Sequence, residues 1–454
     1  MSAAVAEQLA EVFTSLGPDD VPEPARRTAR LDLLDAAGLC IAARRSDYVA
    51  ALLAGWDGEG SCTALGHDRP LDAAGAAVVN GTAIHGEDFD DTLEGAPIRV
   101  GAMVIPAVLA AAERFGLSGR RTLLGIACGL EMVCRINHVA PGAIHRAGFH
   151  PVGVLGPFGA TVGVGVALGL DARQLGLALG VAGSLSSGIS EFLTAGAWTK
   201  RLHPGWAAQS GLRAALLGRA GFVGPTTVLD GRHSLFNAFA PSAVPDHRPL
   251  LDGLGERWLM TDIAFKPYAC GTMIHPYVDC MRDLRRDGVR AQDVVRIVCP
   301  TSEGLVPRLW EPLAVKHRPP SGYAAKFSMP FGMAVGFFDD DAGLAQFTDE
   351  RAQDPEVLAR AARMSDVLDP DNEYPDNYTG HLRVTLTDGR TLSYDRPHLR
   401  GGKREPLTEE HLLEKFRGNV DHGGLDAAYA ERLAGWCLGL DGHADLGGLQ
   451  GFRA

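Results

Sequence analysis

The sequence predicts a mainly α protein, with a large all-α helical domain followed by a smaller α+β domain. Three observations lead there. Apolar residues recur at three- and four-residue spacing from the start to about residue 260. Strand-like alternation appears only after about residue 265. Glycine, at 56 of 454 residues, accompanies alanine-rich apolar runs, where it lets helices approach closely.

Taken in order, Leu9, Val12, Phe13 and Leu16 give the first segment helical spacing, and Glu7 and Glu11 stand where a secretory signal needs an apolar core. Runs at 25–43, 103–115, 123–136 and 207–220 extend the helical pattern. Residues 151–170 carry no charge over a length that could span a membrane. Six glycines and two prolines in that stretch favour instead a closely packed helix in the core of a soluble protein. The expected all-α domain covers 1–264.

From residue 265 the character changes. Residues 293–299, DVVRIVC, read as a strand between helices expected at about 273–286 and 322–338. Residues 381–394 alternate apolar Leu382, Val384 and Leu386 with polar partners around Asp388-Gly389, which predicts a hairpin with a two-residue type I′ turn. The α+β domain is therefore expected over 265–395. After a Gly-rich polar link, Thr408 with Glu409 and Glu410 suits a helix start, and 396–454 is expected to return to the first domain.

Composition excludes several classes. Forty-three Lys plus Arg against 55 Asp plus Glu, a net charge of −12, disfavours nucleic acid as a partner. The eight cysteines form no C-x-x-C pair, which argues against zinc ribbons, iron–sulfur runs and a disulfide framework, and fits a reducing, cytoplasmic compartment. No membrane association is expected. Ser184 to Ser187 lacks a nucleophile elbow, and no Gly-x-Gly-x-x-Gly follows a strand signal in the helical half.

The densest polar cluster is His85-Gly-Glu-Asp88-Phe-Asp90-Asp91-Thr92. Carboxylates this close repel unless a cation, a metal or helix amides balance them, so the cluster reads as an active-site loop with a proton-handling Asp, as a metal loop, or as a solvated cap. The metal reading lacks the Gly-rich phosphate loop that accompanies magnesium sites. Three further polar islands interrupt apolar sequence: Gly148 to Pro151 with His150; Trp198 to Gly205 with Lys200, Arg201 and His203; and Phe265 to Gly271 with Lys266, followed by His275. Histidine titrates near neutrality and Lys or Arg holds carboxylates, so together these make a plausible anion pocket. Each histidine, taken singly, also fits a structural role. Cys270 reads as a buried small hydrophobe.

These segments, with Val104-Ile-Pro-Ala107 and Gly221-Phe-x-Gly224-Pro225, resemble the MmgE/PrpD family in matching order over about residues 5–420. The resemblance implies a smaller domain that acts as a lid, an active site between the domains, a homodimer, and catalysis on a small-molecule carboxylate with no organic cofactor, iron–sulfur cluster or metal. It assigns Asp88, His150, Lys200, Lys266 and His275 to catalysis, with Thr92, His203 and Tyr323 in the pocket. One position departs from the family. Arg99, in Ile98-Arg-Val-Gly101, stands where a histidine is usual. A guanidinium clamps a carboxylate bidentately but does not relay a proton.

Family members make or break a bond beside a carboxylate-bearing carbon, so negative charge builds on an enolate-like group that fixed cations stabilise. Lys200, Lys266 and Arg99 suit that role, and His150, His275 and Asp88 are the acid–base candidates. The leading expectation is a cofactor-independent, dehydratase-like carbon–oxygen lyase acting on a di- or tricarboxylate. Decarboxylation, epimerisation at a carbon α to a carboxylate, and carboxylate binding with reduced catalysis stand beside it.

Overall fold

The computed structural model describes residues 3–95 and 98–454. The protein is mainly α-helical. It divides into two compact units: Met1–Gly86, Ala96–Ile263 and Glu409–Ala454 make one, and Glu87–Gly95 with Ala264–Thr408 make the other. Two boundaries differ from those read off the sequence. The return to the first unit begins at Glu409 rather than 396, and the acidic loop at 87–95 groups with the second unit. Hydrogen bonds explain both: Phe265 N donates to Gly401 O (3.0 Å), and Lys403 N donates to the Glu94 carboxylate (3.0 Å).

At the centre of the first unit lies the helix Pro151–Leu168, long and apolar enough to cross a membrane but 89% buried. It packs against Gly119–Asn137, Gly101–Phe115 and Thr199–Arg219. The close approach depends on missing side chains: a Cβ on Gly159 would stand 2.2 Å from Val133 and 3.0 Å from Gly129 O, and one on Gly163 would stand 2.9 Å from Gly125 O. Close-packed interiors leave no slack for an added methyl.

The second unit carries a four-stranded sheet in the order Met364–Leu368, Val294–Thr301, Gly380–Leu386, Thr391–Arg396, with the first pair parallel and the others antiparallel. The helix His275–Arg286 packs on the last two strands and on the helix Met329–Asp339. The hairpin is present, but its turn is not type I′. Gly389 alone adopts a left-handed φ (+88°), Gly389 N donates to Leu386 O, and Leu386 N donates to Arg390 O. That is a three-residue loop with Gly389 in the bulge position, stabilised by Arg390 N donating to the Asp388 carboxylate (3.0 Å). The helix expected over 322–338 is broken into Gly322–Ala325 and Met329–Asp339. Ser328 caps the second piece by accepting from Phe331 N (3.1 Å), and Lys326 lies in the break.

Candidate functional site

In the second unit, the acidic loop is held from within by two buried lysines. Asp88 adopts φ +54°, a left-handed backbone that Asp tolerates better than most residues. Lys266 Nζ donates to Asp88 O (2.5 Å), the Asp88 carboxylate (3.2 Å) and Cys270 O (2.9 Å). Both side chains of this ion pair are 1% exposed. Lys326 Nζ donates to Glu87 O (2.7 Å) and pairs with the Glu87 carboxylate (3.0 Å). The positive charge that the crowded carboxylates called for is therefore supplied by lysines 178 and 239 residues away. With its three N–H groups directed to protein oxygens, Lys266 orients the loop. Asp90, Asp91 and Thr92 are buried beside it in sequence.

The Cys270 carbonyl that receives Lys266 also lies 3.2 Å from His275 Nε2. His275 opens a helix after the 3₁₀ turn Thr272–Ile274, with Pro276 in the first turn, where its missing N–H is harmless. The imidazole is fully buried, and burial, reinforced by the Lys266 charge, holds its pKa well below the usual histidine value. Its ring stands edge-on to Tyr268, 5.3 Å between centroids. Tyr268 is fixed in turn: its hydroxyl donates to Asp279 (2.5 Å) and accepts from Arg282 (2.6 Å) and Arg400 (2.7 Å). Cys270 is buried, and desolvation raises its thiol to about 12, which leaves it inert as a nucleophile. Tyr323 is half-buried, in the short helix before Lys326, with its ring against Phe327.

The first unit assembles a histidine cluster. His85 ends the helix Ala73–Gly86, His150 precedes the helix Pro151–Leu168, and His203 lies one turn into Thr199–Arg219. The His150 and His203 Nδ1 atoms are 3.0 Å apart, and the His85 ring lies 5.8 Å from that of His150. Phe192 stands edge-on to both members of the pair, at 5.6 and 5.8 Å. His150 N donates to Gly188 O (2.8 Å). Burial is the main cause that lowers both imidazoles, with His85 and Lys200 adding to it. His150 is held well below the usual value and His203 at about 4. Arg201 Nε donates to Gly86 O (2.9 Å), and its guanidinium covers the Tyr48 ring at 4.5 Å, which fixes the chain beside Lys200.

Arg99 is half-buried immediately before the helix Gly101–Phe115. Buried Asp32 lies at that helix start, since a Cβ on Gly101 would meet its carboxylate oxygens at 2.6 and 2.7 Å. A carboxylate favours the positive end of a helix, so Asp32 suits the helix start that Arg99 precedes by two residues.

The residues expected from the sequence thus fall into two groups: Arg99, His150, Lys200 and His203 in the first unit, and Asp88, Thr92, Lys266, His275 and Tyr323 in the second. The sequence reading did not single out Lys326, Gly188, Phe192 or the partners that fix Tyr268, namely Asp279, Arg282 and Arg400. For Lys326 a signal was present, a lone lysine in the otherwise apolar run YAAKFSMPF. For Asp279 and Arg400 there was none.

Residues 7–247 match the MmgE/PrpD N-terminal domain, and 268–439 match the MmgE/PrpD C-terminal domain. Similar proteins include a cis-aconitate decarboxylase of Aspergillus terreus, 26% identical over 98% of this chain and 94% of that protein. The cis-aconitate decarboxylases of Mus musculus and Homo sapiens are 30% and 31% identical over 76% of this chain and 71% and 72% of theirs.

Proposed function

Because the chain belongs to the MmgE/PrpD family, we propose that it is a cofactor-independent lyase acting on a di- or tricarboxylate, with decarboxylation as its reaction. The observation that carries this is a similarity to cis-aconitate decarboxylases that runs through both units, over 98% of the chain in one case. Dehydration or hydration beside a carboxylate-bearing carbon is the second reading, since one set of cations and proton carriers supports either outcome.

Loss of carbon dioxide leaves an electron pair conjugated with a remaining carboxylate, and a carbon must then take a proton. Lys200 and Arg99 supply positive charge for the carboxylates, and Arg99 suits a bidentate grip. His150 and His203 are kept neutral at pH 7 by their depressed pKa values, so they carry protons without adding fixed charge. Lys266 serves by holding Asp88 in place, and His275 offers a third neutral imidazole. A positioned acid or base is worth about 10²–10⁴ in rate.

The test is cis-aconitate and related polycarboxylates, ¹³C-labelled, incubated with the protein in deuterated water and followed by NMR. Labelled carbon dioxide with deuterium entering carbon is the expected result. Water lost or gained with all carbons retained would replace decarboxylation by dehydration chemistry. Deuterium entry without net change would mark an epimerase. No change in any polycarboxylate would refute the lyase reading.

A further inference from the structure

We propose that His150 and His203 form a proton-swap pair, which takes a proton at one imidazole and releases one at the other across their shared Nδ1–Nδ1 hydrogen bond. This rests on the lyase reading for its use, but not for its existence. The observation is the 3.0 Å separation of the two Nδ1 atoms. A hydrogen bond between ring nitrogens needs one N–H and one lone pair. Two neutral imidazoles carry one N–H each, so the rings must be opposite tautomers. The donor holds its proton on Nδ1 and has a bare Nε2. The acceptor holds its proton on Nε2. At any moment the pair offers one base and one acid, both uncharged.

The transfer balances. A proton reaches the bare Nε2 of the donor ring, from water or from a substrate atom that keeps the bonding electron pair. The Nδ1–H of that ring passes to the partner's Nδ1 as the old N–H bond breaks and the new one forms. The partner then releases its Nε2 proton to a carbanionic carbon or to water. One proton enters, one leaves, the net charge is unchanged, and the two tautomers have exchanged places. The next turnover runs the chain in reverse, or the pair resets through solvent.

The surroundings suit this use. Phe192 holds both rings by its edge. Gly188 accepts from His150 N, and a Cβ at Gly188 would stand 3.3 Å from His203 Nδ1, so the backbone itself forms the seat of the pair. The titratable groups that act on it are His85 from the helix Ala73–Gly86, His145 from Ala143–Arg146 and Lys200 from Thr199–Arg219, while Glu191, next to Phe192 in sequence, is exposed. The helix Pro151–Leu168 contributes no charged side chain. Buried surroundings with Lys200 nearby disfavour a proton that stays on either ring, which keeps the pair neutral between transfers.

The test has two arms on the full-length protein. Without substrate, ¹⁵N-histidine NMR at pH 7 reads the tautomers, with signals assigned through His150→Asn and His203→Asn. Opposite tautomers, or shifts averaged equally between Nδ1–H and Nε2–H for both rings, are expected. Two Nε2–H tautomers, or a stable imidazolium, overturn the pair. With substrate, His203→Asn can still hydrogen-bond His150 but cannot pass a proton, so kcat should fall about 10²-fold or more with KM little changed. His203→Ala should fall likewise and regain at least tenfold on adding imidazole. A His203→Asn kcat within threefold of the parent, or folded His203→Ala indifferent to imidazole, refutes the relay. If the unaltered protein turns over no polycarboxylate, the lyase reading fails, while the first arm still decides the hydrogen-bonded pair.

Discussion

Replacing Lys266 with methionine removes an ammonium that is 1% exposed and pairs with an equally buried Asp88 carboxylate. Methionine fills similar space, so the loss is electrostatic rather than a cavity. Two carbonyls, Asp88 O and Cys270 O, lose a donor, and the carboxylate loses its cation. Removing one partner of a buried ion pair destabilises by about 3–5 kcal/mol, because the other charge stays uncompensated. The second unit has about 150 residues, for which 1 kcal/mol moves Tm by roughly 2–4 °C, so the expected fall is roughly 6–20 °C. Differential scanning calorimetry at pH 7.5 measures it. The deficit should shrink as pH is lowered, because an unpaired buried carboxylate takes a proton more easily than one in the unfolded chain and protonation removes its charge. Lys266→Met with Asp88→Asn should be less damaging than the sum of the two single changes. A fall under about 2 °C, or strict additivity, would refute the account of Lys266 as the clamp of the acidic loop.

Three other outcomes follow from the same geometry. His150 and His203 have folded-state pKa values below the unfolded value of about 6.5. The folded state therefore binds fewer protons, and stability declines as pH drops from about 6.5 towards 4. Urea midpoints measured across that range should fall, and should fall less steeply in His203→Gln. Gly188→Ala places a Cβ at φ +107° against His203. It should lose about 1–3 kcal/mol by denaturant titration, with kcat reduced more than KM is raised. Arg99→Met should raise KM for a polycarboxylate about tenfold or more, from the loss of a charged hydrogen bond of about 1.5–3 kcal/mol. An unchanged KM in steady-state assays would remove Arg99 from substrate binding.

Local pattern alone determined the helical first part of the chain, the strand that begins at Val294, the hairpin over 381–394 and the helix at His275, because spacing, turn residues and caps act within a few positions of each other. It also marked out Asp88, His150, Lys200, His203, Lys266 and His275 as polar islands in apolar surroundings. Only the tertiary structure decided the partners. Lys266 meets Asp88 across 178 residues, and His150 meets His203 across 53. The same lysine type thereby became an internal clamp rather than an open cation. The turn at Gly389 and the helix break at Lys326 were equally out of reach. The first depends on a φ angle that Asp388 is free to adopt or refuse, the second on a distant loop at Glu87 that draws the lysine inward. Composition and periodicity report which side chains seek burial, whereas the pairing of buried charges and the tautomers of paired rings are set by which distant oxygen or nitrogen arrives within hydrogen-bond distance.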